Sequence, residues 1–152
     1  MPLTSVAVVD ALRWVCGVLS REHIPFQVVG DIAALLEDGA SRVRRVELFI
    51  CAEHLLTLLH LVEDYIVECP WRRRDDRWDL VTMVLKKQGV LVLIGVVDGA
   101  RIRIGTSNEW QDAVIDLDSS RVVCIKGIET PVALRSGLAT ALGLPAPGEE
   151  CP

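Results

Sequence analysis

Residues 25–50 read PFQVVGDIAALLEDGASRVRRVELFI, and this stretch decides the fold. A short apolar strand ends before Gly30, which allows a sharp turn, and an apolar run of helical length follows from Asp31. After the loop EDGAS, a second strand is predicted over residues 45–50, with Glu47 as its only acid. The pattern therefore predicts strand, tight glycine turn, short helix and strand.

The composition predicts one ordinary globular domain. The chain has 152 residues, of which 51% are hydrophobic and 24% charged, and this is enough to bury a real core. We expect a single domain over residues 1–144 and a loose tail, PAPGEECP, over residues 145–152. The net charge of −5 argues against general nucleic-acid binding, which normally needs a basic surface.

The cysteines and the apolar runs predict a soluble protein of the cytoplasm. No apolar run approaches the length of a membrane span, and the N-terminus does not resemble a secretion signal. Five scattered cysteines form no CxxC or Cys/His spacing, which favours free thiols over disulfides or zinc. They are Cys16, Cys51, Cys69, Cys124 and Cys151.

Apolar periodicity predicts the remaining elements. Helices are expected over residues 4–22, 51–64 and 130–142, the last with Thr130 as its cap and Pro131 in its first turn. Strands are expected over residues 65–69, 79–87, 90–97, 100–104, 114–117 and 121–125. Pro70 should end the first of these strands, Asp98-Gly99 should form a hairpin turn, and residues 118–120 should join the last two strands. This order predicts an α+β fold with a mixed β-sheet flanked by helices.

The order of elements, with IPFQVVGDIAALL followed by RRVELFI, resembles the nucleotidyltransferase-like superfamily. The likeness is greatest to its minimal, lincosamide and abortive-infection toxin types. It covers most of the chain in element order but only residues 25–50 as a motif. The resemblance implies a nucleotidyltransferase-like fold. In such enzymes a Gly-Gly or Gly-Ser turn holds the nucleotide phosphates, Asp-x-Asp on the next strand binds two magnesium ions, and a later strand adds a third carboxylate.

The motif is matched only in part. Gly30 corresponds to the first glycine, but Asp31 replaces the second Gly or Ser. In one alignment Glu47 is the second metal acid and Arg45 stands at the first; in the other, Glu47 is the first acid and Phe49 stands at the second.

The strands that should carry the third acid, GVLVLIGVV and ARIRI, have no acid in their interiors. Leu93 or Arg103 therefore occupies that position. Because a divalent ion needs several oxygen ligands, these residues predict no metal site and no cofactor.

Asp31 has two interpretations. It could turn toward Glu47 and, with Asp38 or Glu37, rebuild an acidic cluster for magnesium. More simply, Asp31 caps its own helix, and Asp38-Gly39 forms a turn or helix end.

Arginines follow the glycine turn along the chain. With Gly30 and Asp31, Arg42 and Arg45 are candidate nucleotide-binding residues, and Arg44 could contribute to the same anion site. We favour the alternative that Arg45 pairs with Glu47 or Asp31 in place of a metal ion.

A second conspicuous segment is WRRRDDRW, which contains the residue types that dominate interfaces. Its candidate interaction residues are Trp71, Arg72, Arg73, Arg74, Arg77 and Trp78. They could bind a partner protein or a nucleotide base. The simpler interpretation is a solvated loop whose arginines pair with Asp75 and Asp76.

These observations favour a nucleotidyltransferase-like domain that has lost activity and serves as a protein-interaction or regulatory module, with self-association or another protein as partner. Many Val, Leu and Ile residues on predicted edge hairpins agree with self-association. The alternative is a divergent magnesium-dependent enzyme that uses Glu47 and Asp31 to transfer a nucleoside monophosphate to a small molecule, an RNA or a protein hydroxyl. A nucleotide bound without turnover is a further candidate, and nucleic acid is the least favoured partner.

Overall fold

A mixed β-sheet with helices against one face forms the centre of the structure, a computed structural model that describes residues 6–38, 43–103 and 108–133. For residues 36–38 only the backbone is described. The α-helices are α1 (Val6–Arg21), α2 (Gly30–Asp38) and α3 (Leu55–Leu61), and short 3₁₀ turns at Ala52–His54 and Glu63–Tyr65 flank α3. The strands are β1 (Gln27–Val29), β2 (Val46–Ile50), β3 (Ile66–Arg74), β4 (Trp78–Lys87), β5 (Val90–Val96), β6 (Arg101–Ile102), β7 (Gln111–Asp112), β8 (Ser120–Ile125) and β9 (Ile128–Ala133).

The strand order across the sheet is β7-β6-β4-β5-β2-β1-β9-β8, and β3 pairs with the other edge of β4. The pairs β1–β9 and β2–β5 are parallel, and the other pairs are antiparallel. The predicted α+β class and mixed sheet are therefore confirmed. Parallel pairing of β2 with β5 requires a crossover, which α3 and the β3–β4 hairpin provide.

The core on the helix side of the sheet is apolar because α1 and the central strands each turn a regular apolar face toward it. In α1 the buried residues recur at helical spacing, among them Leu12, Val15 and Leu19. Helix α1 confirms the predicted N-terminal helix, although the proposed cap Thr4 lies outside the described residues. Of the helices described, none is long and apolar enough to cross a membrane.

Strand β2 divides its side chains between the two faces of the sheet. Val46, Leu48 and Ile50 belong to the helix-side core, whereas Phe49 belongs to a second apolar cluster on the opposite face. Because side chains alternate along a strand, Glu47 points to the same face as Phe49. We call this second face the open face, and the candidate site lies on it.

The prediction that Pro70 ends a strand is wrong. Strand β3 continues through Pro70 to Arg74, with a shift of pairing register between Glu68 and Trp71. Proline has no N–H to donate, so it is tolerated at an irregularity of an edge strand. As a consequence, much of the segment WRRRDDRW is β-strand rather than loop.

The Asp98-Gly99 turn does not close a hairpin, which corrects a second prediction. Both β5 and β6 pair antiparallel with β4, on the side opposite to β3. Strand β6 therefore continues the line of β5 after the turn. Gly99 has a φ of +72°, and Asp98 Oδ1 accepts a hydrogen bond from the Ala52 N–H at 2.7 Å, which ties the turn to the start of the 3₁₀ segment.

The predicted start of the final helix is also wrong, because Thr130 and Pro131 lie within β9. Strand β9 forms a hairpin with β8 through Lys126 and Gly127, whose φ angles of 51° and 82° fit a primed hairpin turn. The predicted pairing of residues 114–117 with β8 is therefore replaced by β8–β9. The rest of the predicted helix and the predicted tail lie outside the described residues.

Candidate functional site

The glycine turn between β1 and α2 is present as the sequence predicts. Gly30 has a φ of +69°, a left-handed conformation that favours glycine. A side chain at this position would collide with Glu47 Oε2 and lie 2.6 Å from Glu47 Cδ. The Glu47 side chain therefore lies directly against the turn.

Glu47 is held by an arginine. Arg45 Nη2 lies 3.3 Å from Glu47 Oε1, and the Glu47 side chain is only 22% exposed. The sequence predicts that Arg45 pairs with Glu47 or Asp31, and the structure has the pair with Glu47. The guanidinium balances the carboxylate charge but occupies an oxygen that a cation would need.

The strands beside Glu47 supply no further carboxylate. Glu47 pairs with Val29 on β1 and with Leu93 on β5, and Phe49 pairs with Gly95. Leu93, not Arg103, therefore lies beside Glu47. Within the described ranges, no group of three or more His, Cys, Asp or Glu side chains could hold a metal ion. Among the described residues, the side chains around Glu47 do not supply the carboxylates that a pair of magnesium ions needs.

Asp31 does not line the cleft that contains Glu47. It lies in the first turn of α2, which begins at Gly30, so the predicted cap is one residue inside the helix. Its Oδ2 accepts a hydrogen bond from the Arg44 N–H at 3.4 Å, and it is not among the cleft residues given below. A carboxylate in a first turn still interacts favourably with the helix dipole. The side chains of Glu37 and Asp38 and the whole of Arg42 lie outside the described residues, so the roles suggested for them stay predictions.

Several arginines of the WRRRDDRW segment form a charge cluster around a buried acid. Asp79 is 2% exposed, and Arg72 Nε and Arg74 Nη2 donate to its oxygens at 2.8 and 3.1 Å. Arg101 Nη1 lies 4.0 Å from the same carboxylate. The hydrogen bond from Arg72, helped by Arg74 and opposed by burial, lowers the pKa of Asp79 below its usual range. The predicted pairing of these arginines with Asp75 and Asp76 is therefore corrected.

The turn between β3 and β4 is fixed by hydrogen bonds. Asp75 Oδ1 accepts from the N–H groups of Arg77 and Trp78 at 2.8 and 2.7 Å. Arg103 Nε and Nη2 donate to the Asp76 carbonyl at 3.0 and 2.8 Å, and the Arg103 guanidinium stacks 5.2 Å from the Trp110 ring centroid. These contacts hold the turn against β6.

The glycine turn and the β3–β4 turn meet across one cleft on the open face, with a volume of about 440 Å³. The cleft is lined by Val29, Gly30, Arg45, Glu47, Leu48, Phe49, Arg73, Asp75, Arg77, Trp78, Leu80, Thr82, Leu93 and Gly95. The structure thus joins two groups of residues that the sequence presented separately. Trp71, Arg72 and Arg74 are not among the lining residues.

Sequence reasoning missed most of the apolar floor of this cleft. Phe49, Leu80 and Leu93 face it, and Gly95 leaves room for the Phe49 ring, since a Cβ there would lie 2.9 Å from that ring. Thr82 Oγ1 is buried beside them without a hydrogen-bond partner in the described part of the chain. The alternation of side chains along β4 and β5 could have identified these residues as sharing one face of the sheet. To use it, one would have to know which face is left uncovered by helices.

Solved structures share this fold. A candidate nucleotidyltransferase from Thermotoga maritima superposes with a TM-score of 0.75 at 18% identity, over 93% of this chain and 86% of that one. ANT(2″)-Ia, solved in complex with adenylyl-2″-tobramycin, gives a TM-score of 0.56 at 12% identity, over 97% of this chain and 82% of that one. No protein-family model and no curated protein sequence matches the chain. The chain therefore has a nucleotidyltransferase-like fold, as the resemblance in residues 25–50 implied.

Proposed function

We propose that this nucleotidyltransferase-like domain does not transfer nucleotides and serves as a regulatory or protein-interaction module. The observation that carries the proposal is the ion pair of Arg45 with Glu47. The residue paired with Glu47 on the neighbouring strand β5 is Leu93, which has no carboxylate. Two-metal transfer needs several carboxylate oxygens around the cations, because negative charge develops on both the attacking and the leaving oxygen. A single carboxylate already paired with a guanidinium supplies too few.

The interaction role is supported by the edge strand β3. In the described sheet this strand pairs with β4 alone, and Val67 and Trp71 on it are each 54% exposed. An exposed tryptophan beside arginines is typical of an interface centre. Self-association or another protein of the cytoplasm is the partner that we propose for this edge.

Nucleic acid is not proposed as a partner. The guanidinium groups of Arg72, Arg73 and Arg74 are engaged by Asp79 and Glu68, and the chain carries a net charge of −5. A phosphate backbone requires basic groups that are free to release counterions.

The test is calorimetric titration of ATP, GTP, CTP and UTP into the purified protein, each with and without magnesium. We expect no magnesium-dependent binding of any of the four. The variants are Glu47→Gln and, as a matched control, Glu129→Gln, because Glu129 is exposed on β9. Near-ultraviolet circular dichroism verifies that each variant is folded.

A divergent magnesium-dependent nucleotidyltransferase is the second candidate. It is favoured by the retained left-handed Gly30 turn and by the position of Glu47 against that turn. In this case one nucleotide would bind at micromolar concentration only with magnesium, and Glu47→Gln would abolish the binding while Glu129→Gln would not. That result would overturn the non-catalytic proposal and identify the nucleotide.

A further inference from the structure

We propose that the cleft on the open face binds a small organic monoanion with an aromatic or otherwise apolar body, and that Arg77 takes its charge. The inference rests on the proposed non-catalytic function of the same cleft. If the cleft takes neither a metal ion nor a triphosphate, a ligand with a single negative charge is the class that suits its charges.

Within the part of the chain that the structure describes, one cation of the cleft has no partner. Arg45 pairs with Glu47, and Arg73 Nη2 donates to Glu68 Oε1 at 2.6 Å. Among the described residues, the Arg77 guanidinium has neither an ion pair nor a hydrogen bond, although its backbone is fixed by Asp75. A guanidinium held at the rim of a cleft is well suited to a carboxylate or sulfonate.

The acids in the cleft limit the charge of the ligand. Glu47 and Asp75 both line it, so a triphosphate would bring several negative charges close to two carboxylates. Like charges at short distance oppose binding, and no metal site in the described ranges offsets them. A single anionic group at Arg77 avoids this conflict.

The floor of the cleft is apolar and therefore favours a ligand with an apolar body. Phe49 and Leu80 are 7% and 8% exposed, and the Phe49 and Trp78 rings lie 5.9 Å apart between centroids. The volume of about 440 Å³ is within the range of small-molecule sites.

The site is also held in place before any ligand arrives. The N–H groups of Arg77 and Trp78 are both bonded to Asp75, and Arg103 anchors the neighbouring Asp76 carbonyl. Because this backbone is ordered already, binding needs to immobilise little more than the Arg77 side chain.

Two fluorescent probes test the proposal. Anilinonaphthalene sulfonate carries an apolar ring system and one negative charge, and N-phenylnaphthylamine has a similar ring system without the charge. Each is titrated into the full chain and into Arg77→Gln, Arg77→Lys and Arg121→Gln. Arg121 is an exposed arginine of β8 that does not line the cleft, so it is the matched control.

We expect one sulfonate probe to bind per chain, and Arg77→Gln to weaken it about fivefold, the size of a partly exposed charge-assisted hydrogen bond. Arg77→Lys should restore most of the affinity, Arg121→Gln should leave it unchanged, and the neutral probe should not distinguish the variants. Equal sulfonate affinity in Arg77→Gln and Arg121→Gln, or no binding of either probe, would overturn the monoanion site. Magnesium-dependent nucleotide binding would instead overturn the proposed function, so the two failures are distinguishable.

Discussion

Replacing Gly30 by alanine is expected to destabilise the fold through both its backbone and its contact with Glu47. The φ of +69° costs an alanine about 1 kcal/mol. The new Cβ would also displace the Glu47 carboxylate, which would then lose its ion pair with Arg45. For a pair that is partly exposed, this loss is worth about 0.5–1 kcal/mol. The total is about 2 kcal/mol, or a fall in Tm of about 4–8 °C for a domain of this size.

Gly127→Ala separates the two contributions. Gly127 has a φ of +82°, and no described heavy atom lies within 4 Å of a Cβ placed there, apart from its own chain neighbours. It should therefore show the backbone cost alone, about 1 kcal/mol. The assay is urea unfolding followed by tryptophan fluorescence and far-ultraviolet circular dichroism.

A double-mutant cycle with Glu47→Ala completes the experiment. Without the carboxylate, Gly30→Ala should cost only slightly more than Gly127→Ala, because the Cβ that Glu47→Ala retains would still lie 3.2 Å from the new Cβ. The coupling energy should then be about 1 kcal/mol. If Gly30→Ala and Gly127→Ala are equally destabilising in the wild-type background, and Glu47→Ala changes neither, then Glu47 does not lie against the turn and the reasoning fails.

Three further outcomes follow from single side chains. Thr82→Val should stabilise the protein by about 1 kcal/mol in urea unfolding, because it removes a buried hydroxyl that has no partner in the described part of the chain; a loss of stability would show that the hydroxyl is satisfied. Arg72 lowers the folded-state pKa of Asp79, so the ionised Asp79 stabilises the fold above the ordinary carboxylate pKa of about 3.9. This stability is lost as the pH falls through the folded-state pKa. Acid unfolding of Asp79→Asn should lack this part of the transition, and an acid limb identical to that of the wild type would refute the reasoning. Burial raises the pKa of the Cys16 thiol to about 12, so near neutral pH it should resist a thiol reagent that labels exposed Cys69 at once; equal labelling in mass spectrometry would contradict its burial.

The sequence predicted the parts of the site that depend on neighbouring residues. The left-handed turn follows from Gly30 in a strand-to-helix connection. The ion pair follows from Arg45 and Glu47 two residues apart, with Arg45 just before β2 and Glu47 within it. The residue at the position of the family's third acid could be narrowed to Leu93 or Arg103, because neither candidate strand has an acid in its interior. Each of these inferences needs only local spacing and side-chain chemistry.

The parts that could not be predicted depend on pairing between distant strands. Thr130 and Pro131 are a good local helix start, but the Lys126-Gly127 turn and pairing with β8 override that preference. The cleft itself arises because β5 pairs with both β2 and β4, which brings the β3–β4 turn opposite Gly30. The spacing of residues along the chain does not predict that the β3–β4 turn lies opposite Gly30.

The most direct test of the central claim is a titration of manganese, a paramagnetic substitute for magnesium, followed by the loss of its free electron paramagnetic resonance signal. The wild-type chain should show no site in the micromolar range, because Glu47 is paired with Arg45 and has Leu93 beside it. The double variant Arg45→Asp with Leu93→Asp should bind the ion more tightly than the wild type, which shows that the assay detects the site. Micromolar binding of manganese by the wild type that disappears in Glu47→Gln would contradict the account.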